Sequence, residues 1–147
     1  MDLIFIHRDA DNAGVAAREQ EIIDACSDLH LTAVIVPVVP VKMLEAWLLA
    51  DQDKIKMVGG GRDYRGNIEG VPSIAALEDV RDAKAVLLSA LCEVSGASGG
   101  RLRDFKKRFP EMRARLTYDL DPDGPVNRLD SYRRFRQAVA QVAQQLL

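Results

Sequence analysis

The apolar positions of this chain switch between two spacings. Leu3–Ile6 is a short, unbroken apolar run with a β-branched and aromatic bias, and its length predicts a buried strand. From about Asn12 to Leu29 the apolar residues Val15, Ile22, Cys26 and Leu29 recur at near-helical intervals, with Arg18, Glu19 and Glu21 off the stripe. Thr32–Val39 is apolar at almost every position, as expected of a strand covered on both faces of a parallel sheet. Strand, helix and strand in that order predict a right-handed βαβ unit. Pro37 cannot donate to a ladder, so the second strand is expected at an edge or bulged there.

From Val41 onward the pattern is helical. Val41–Ala50 carries Met43, Leu44, Trp47 and Leu48, and Asp51 is placed to cap a further short turn through Ile55 and Met57. The stretch 59–72 holds five glycines with Arg62, Asp63, Tyr64 and Arg65, and reads as a long loop. It lacks the G-x-x-x-x-G-K-S/T pattern and no strand leads into it, so a phosphate cradle is the minor reading. Asp82 caps a helix over Ala83–Ser95 that stops at Gly96, and a Gly/Ser link to Gly100 follows. Helices are expected over Arg101–Phe109, over Pro110–Leu120, and from a cap at Asp130 or Ser131 through Phe135, Val139, Val142 and Leu146.

These elements predict one α/β domain over residues 1–147, a small parallel sheet wrapped and extended by about six helices. Residues 1–58 form the βαβ core with its acidic motif, 59–72 the loop, and 73–147 a helical extension. Two strands are few for an α/β sheet. Either a third hides in the loop region, or another chain completes the sheet, as an open edge invites.

Composition adds bounds. The 147 residues are 48% apolar and 29% charged, ordinary for a soluble domain. No apolar run approaches the ~20 residues of a membrane span, and the start of the chain does not resemble a signal peptide. A cytoplasmic location is expected, with Cys26 and Cys92 as free thiols. The net charge of −2 is unevenly spread, because residues 101–147 hold 11 Lys/Arg against 6 Asp/Glu. That basic third either tracks a phosphate backbone or forms solvated helix faces; the absence of interleaved aromatic residues favours the second.

The candidate chemistry sits where the first strand ends. Side chains two apart on an extended chain point the same way, so Asp9 and Asp11 would aim together off its carboxyl end. Two hard carboxylates so placed suit Mg²⁺ or Mn²⁺ with waters and a substrate phosphate. The competing reading makes Asp11 or Asn12 a helix cap and Asp9 a solvated strand-end residue. His7 reads as a satisfied strand-end histidine, Trp47 as a core anchor, and Lys42 and Lys84 as surface charges or phosphate contacts. No Ser/His/Asp or Cys/His nucleophilic set is arguable.

The runs I-F-I-H-R-D-A-D-N-A-G, V-P-V-K-M-L-E-A-W-L-L-A-D, R-D-A-K-A-V-L-L and G-P-V-N-R-L-D-S-Y together resemble an uncharacterised bacterial family related to Toprim domains, the catalytic modules of topoisomerases, primases and OLD-type nucleases. The resemblance covers most of the chain. It implies a compact α/β domain whose acidic residues hold Mg²⁺ for phosphodiester chemistry on nucleic acid. Asp9 and Asp11 match the Toprim D-x-D as metal ligands. Glu45, followed by Trp47 and Asp51, matches the acidic helix segment as an auxiliary catalytic acid. Toprim-like domains also carry an upstream strand ending in a glutamate, and Asp9 is preceded here by only eight residues. Loss of such a proton acceptor costs ~10²–10⁴-fold in rate. The alternative expectation is therefore a non-catalytic subunit that keeps the fold and binds a partner or a second copy.

Overall fold

A computed structural model describes residues 2–42 and 44–146, the side chains of 145 and 146 excepted. The expected places of Met43 and of the Leu146 side chain in helical stripes lie outside the described residues.

The first strand, β1 (Leu3–His7), pairs in parallel with β2 (Val34–Val38), Leu3 beside Val34 and His7 beside Val38. Helix α1 (Val15–Ser27) joins them, so the expected βαβ unit is present. The bonds flanking the ladder run from Val34 N–H to Asp2 C=O and from Arg8 N–H to Val38 C=O. Even-numbered residues of both strands therefore carry the shared bonds, and the Pro37 nitrogen faces the outer side of β2, where the ladder needs no donor. Pro37 sits in an edge strand without a bulge.

The two faces of the sheet are covered differently. Ile6 and Ile35 pack towards α1 with Ala10, Ile22, Cys26 and Val39. On the other face Phe5 meets the ring of Phe135 edge-on, at 6.5 Å between centroids. Leu29, expected in the α1 stripe, lies past the helix end and is 67% exposed. Asp11 and Asn12 do not cap α1 either; its N-cap is Gly14, in the left-handed region at φ +87.

The larger core is helical. It gathers α2 (Glu45–Leu48), α3 (Gln52–Gly59), α4 (Ala83–Ser95), α6 (Phe109–Tyr118) and α7 (Asp130–Leu146), with α5 (Gly99–Lys107) packed against α4 and α6. The α/β class with a helical C-terminal half is thus the observed architecture. The expected helix over Val41–Ala50 is regular only across four residues, whereas Asp51 caps α3 as expected, accepting from the N–H groups of Asp53 and Lys54. Asp82 and Gly96 bound α4 at the expected places. The Gly/Ser link is shorter than its composition suggests, because Gly99 and Gly100 already belong to α5.

Trp47 anchors this core. It is 3% exposed, lies edge-on to Tyr132, and donates its indole N–H to Ser131 Oγ at 2.8 Å. The Ser131 hydroxyl in turn meets Glu78, whose carboxylate accepts from the N–H groups of Asp130 and Ser131. Glu78, from the 3₁₀ segment Ile74–Asp79, supplies the α7 cap that Asp130 or Ser131 was expected to supply. A carboxylate there also suits the positive end of the helix dipole.

Candidate functional site

Backbone pairing continues past the ends of both strands. Ala10 N–H donates to Pro40 C=O at 2.9 Å, so Arg8–Ala10 and Val39–Pro40 run side by side off the carboxyl edge of the sheet. Ala10 is fully buried, which tethers the segment between the two aspartates to the core. The chain then turns sharply, with Asp11 at φ +49, a conformation that Asp tolerates better than most residues. The D-x-D is therefore not one extended pair: Asp9 sits in the extended segment and Asp11 on a turn, exposed to solvent.

Asp9 is the unusual member. Its side chain is 33% exposed, yet Oδ1 is screened from solvent and has no aligned hydrogen-bond donor. His7 Nε2 lies 3.3 Å from that oxygen, within ion-pair distance but outside hydrogen-bond alignment. Burial raises the Asp9 pKa above the usual aspartate value; His7 pulls it down, while the Asp11 and Glu45 carboxylates push it up. The structure thus brings Asp9, Asp11 and Glu45 near enough to share one field.

Glu45 is buried, and α6 reaches it from the other side. Arg113 Nη1 donates to Glu45 Oε1 at 2.9 Å. The carboxylate is 6% exposed and the guanidinium 46%, so the pair bridges core and solvent. Arg113 went unnoticed in the sequence, since 68 residues separate it from its partner. Only its place on α6, with Met112 and Leu116 turned inward, brings it there.

The neighbouring Arg8 and the remaining sequence candidates fall elsewhere. Arg8 turns towards α1 and pairs with Glu21 at 2.9 Å. Lys84 is exposed on α4, Lys42 is half-buried, and Trp47 belongs to the core. Cys26 is buried and Cys92 half-buried, both free. Among the described residues no three His, Cys, Asp or Glu side chains converge closely enough to cage a metal by themselves. No described helix is long and apolar enough to cross a membrane. Compared with protein-family models, curated proteins and solved structures, the chain matches none.

Proposed function

We propose that this chain is a Toprim-like domain that processes phosphodiester bonds of nucleic acid, using Mg²⁺ or Mn²⁺ held at Asp9 and Asp11. The observation that carries the reading is the Asp9 Oδ1 atom, screened from water and without an aligned donor at the carboxyl edge of a parallel sheet. Such an oxygen calls for a proton or a cation. The residues fit an open site, in which one or two carboxylates suffice and water and phosphate fill the other positions; they do not fit a closed cage. The ion, when bound, would polarise a phosphoryl oxygen and acidify a water.

The chain's own groups do the rest. Asp9 and Asp11 orient the ion, one from a fixed segment and one from a solvent-facing turn. Glu45, clamped by Arg113, acts through Asp9 as a positioning residue, deepening the negative potential. His7 Nε2 stands 3.3 Å from the Asp9 carboxylate, on the side a bound cation would share. Titrating Mg²⁺ or Mn²⁺ while following the Asp9 and Asp11 resonances by NMR tests this. Saturable shifts at both positions, abolished in Asp9→Asn, are expected; unshifted resonances at millimolar metal would overturn the proposal.

A second reading has its own observation. Leu3 is 40% exposed and Phe5 53%, both on β1, whose outer backbone edge pairs with no strand among the described residues. That edge favours a non-catalytic subunit whose sheet is completed by a partner protein or a second copy. A strictly monomeric chain with robust metal-dependent nuclease activity would refute it.

A further inference from the structure

The glycine-rich stretch after α3 is a rigid loop, not a slack one. Gly59 and Gly61 press so closely on Val94 of α4 that a Cβ on either would collide with it. Gly60 and Gly66 take left-handed conformations, at φ +83 and +80. Ile68 is buried, and its N–H donates to Gln52 Oε1 at 2.8 Å. Glu93 of α4 accepts from the Glu69 N–H at 2.9 Å and also holds the Tyr64 hydroxyl. Lys56 Nζ, at the end of α3, donates to the Gly66 carbonyl at 2.7 Å. The loop is thus fixed from α3 or α4 as far as Glu69.

What this frame presents is basic. An open cavity of ≈ 400 Å³ is lined by Asp53, Lys56, Arg62, Tyr64, Arg65 and Gly66, among others. Three cationic side chains against one carboxylate leave the lining at +2. Lys56 is partly neutralised by Asp53 at 3.6 Å. Neither Arg62 nor Arg65 has a carboxylate partner among the described residues, and both are exposed. Two unpaired guanidinium forks beside an ammonium match a tetrahedral oxyanion. A net +2 matches the dianion of a phosphomonoester better than the single charge of a phosphodiester. The volume lies within the range of small-ligand sites, and the Tyr64 ring offers a wall to whatever group the phosphate carries.

We propose that the loop 59–72, with Lys56, is a phosphomonoester-binding site. Arg62 and Arg65 grip the terminal phosphate, and Lys56 supports it from the floor. The proposal stands on the loop alone and is independent of metal binding at Asp9. The phosphate can belong to a free nucleotide or to the 5′ end of a nucleic-acid strand, and the test separates the two sources.

The full chain is titrated with adenosine monophosphate, with a 5′-phosphorylated single-stranded oligonucleotide, and with its 5′-hydroxyl twin, by calorimetry and fluorescence anisotropy. Binding of the phosphorylated probes and not of the twin is expected. Equal affinity for the two phosphorylated probes assigns the site to free nucleotides, and tighter binding of the oligonucleotide assigns it to strand ends. Arg62→Ala with Arg65→Ala should weaken binding by about tenfold or more per guanidinium removed, with the melting curve unchanged because both side chains are solvent-facing. Asp53→Asn, which removes the one opposing charge, should tighten it. No binding of either phosphorylated probe at millimolar concentration, equal binding of the 5′-hydroxyl twin, or indifference to the double substitution would each overturn the proposal.

Discussion

Glu45 and Arg113, 68 residues apart in sequence, meet at 2.9 Å, the carboxylate buried and the guanidinium half in solvent. Removing the arginine would strand a carboxylate in the core, whereas removing both charges would not. Arg113→Met is therefore expected to cost about 1–3 kcal/mol at neutral pH, less than for a fully enclosed pair because solvent already reaches the guanidinium. Most of that loss should be recovered in the double variant with Glu45→Gln. Urea unfolding of the two single variants and the double variant checks this, and a double variant no better than Arg113→Met alone would contradict it.

Asp9 sets a pH dependence with a definite sign. Burial, with Asp11 and Glu45, raises its folded-state pKa above the usual 3.8, against the opposing pull of His7. The folded chain thus holds this proton more tightly than the unfolded one. The resulting stabilisation is full below pH 3.8 and lost as pH rises through the higher folded-state value. Asp9→Asn, neutral at every pH, should melt above the parent at pH 7, with the gap shrinking as pH falls below 4. In the parent, millimolar Mg²⁺ should raise the melting temperature at pH 7 and do nothing for the variant. A variant that melts lower than the parent at pH 7 would contradict the assignment.

Adjacent glycines of the loop should respond differently to the same methyl group. A Cβ at Gly59 runs into the Val94 side chain, whereas one at Gly61 runs into the Val94 carbonyl. Both substitutions to Ala are expected to cost about 1–3 kcal/mol. Shortening Val94 to Ala should relieve the Gly59→Ala strain and leave that of Gly61→Ala untouched, since a backbone oxygen does not move with its side chain. Gly60→Ala meets nothing within 4 Å and pays only for its positive φ, on the order of 1–2 kcal/mol. Thermal melts of the three single variants and the two doubles with Val94→Ala provide the comparison.

Local signals in the sequence were the ones that carried through. The strands, the Asp51 and Asp82 caps and the Gly96 stop each depend on residues within a few positions of one another, and each stands where its pattern placed it, although β1 is largely exposed and not the buried strand its apolar run predicts. The acidic cluster was legible only in part. The strand end pointed to Asp9, but the left-handed turn at Asp11 broke the extended geometry that would have aligned the pair. Glu78 as the α7 cap and Arg113 as the Glu45 partner are contacts between distant segments. No periodicity or capping rule encodes such contacts, because they depend on how whole helices pack. The loop 59–72 shows the converse. Its glycines read only as a long loop, yet Gly59 and Gly61 lie too close to α4 for a side chain, and Gly60, Gly66 and Gly70 hold the positive φ of its turns.

Pro37 gives the sheet a polarity of growth. Its ring removes one of the two donors, at 35 and 37, that the outer side of β2 would offer an incoming strand, while the outer side of β1 keeps all its donors and acceptors. A segment that enlarges this sheet therefore gains more bonds next to Leu3–His7, beside the half-bare Phe5, than on the opposite flank, where a single imino acid withholds one of them.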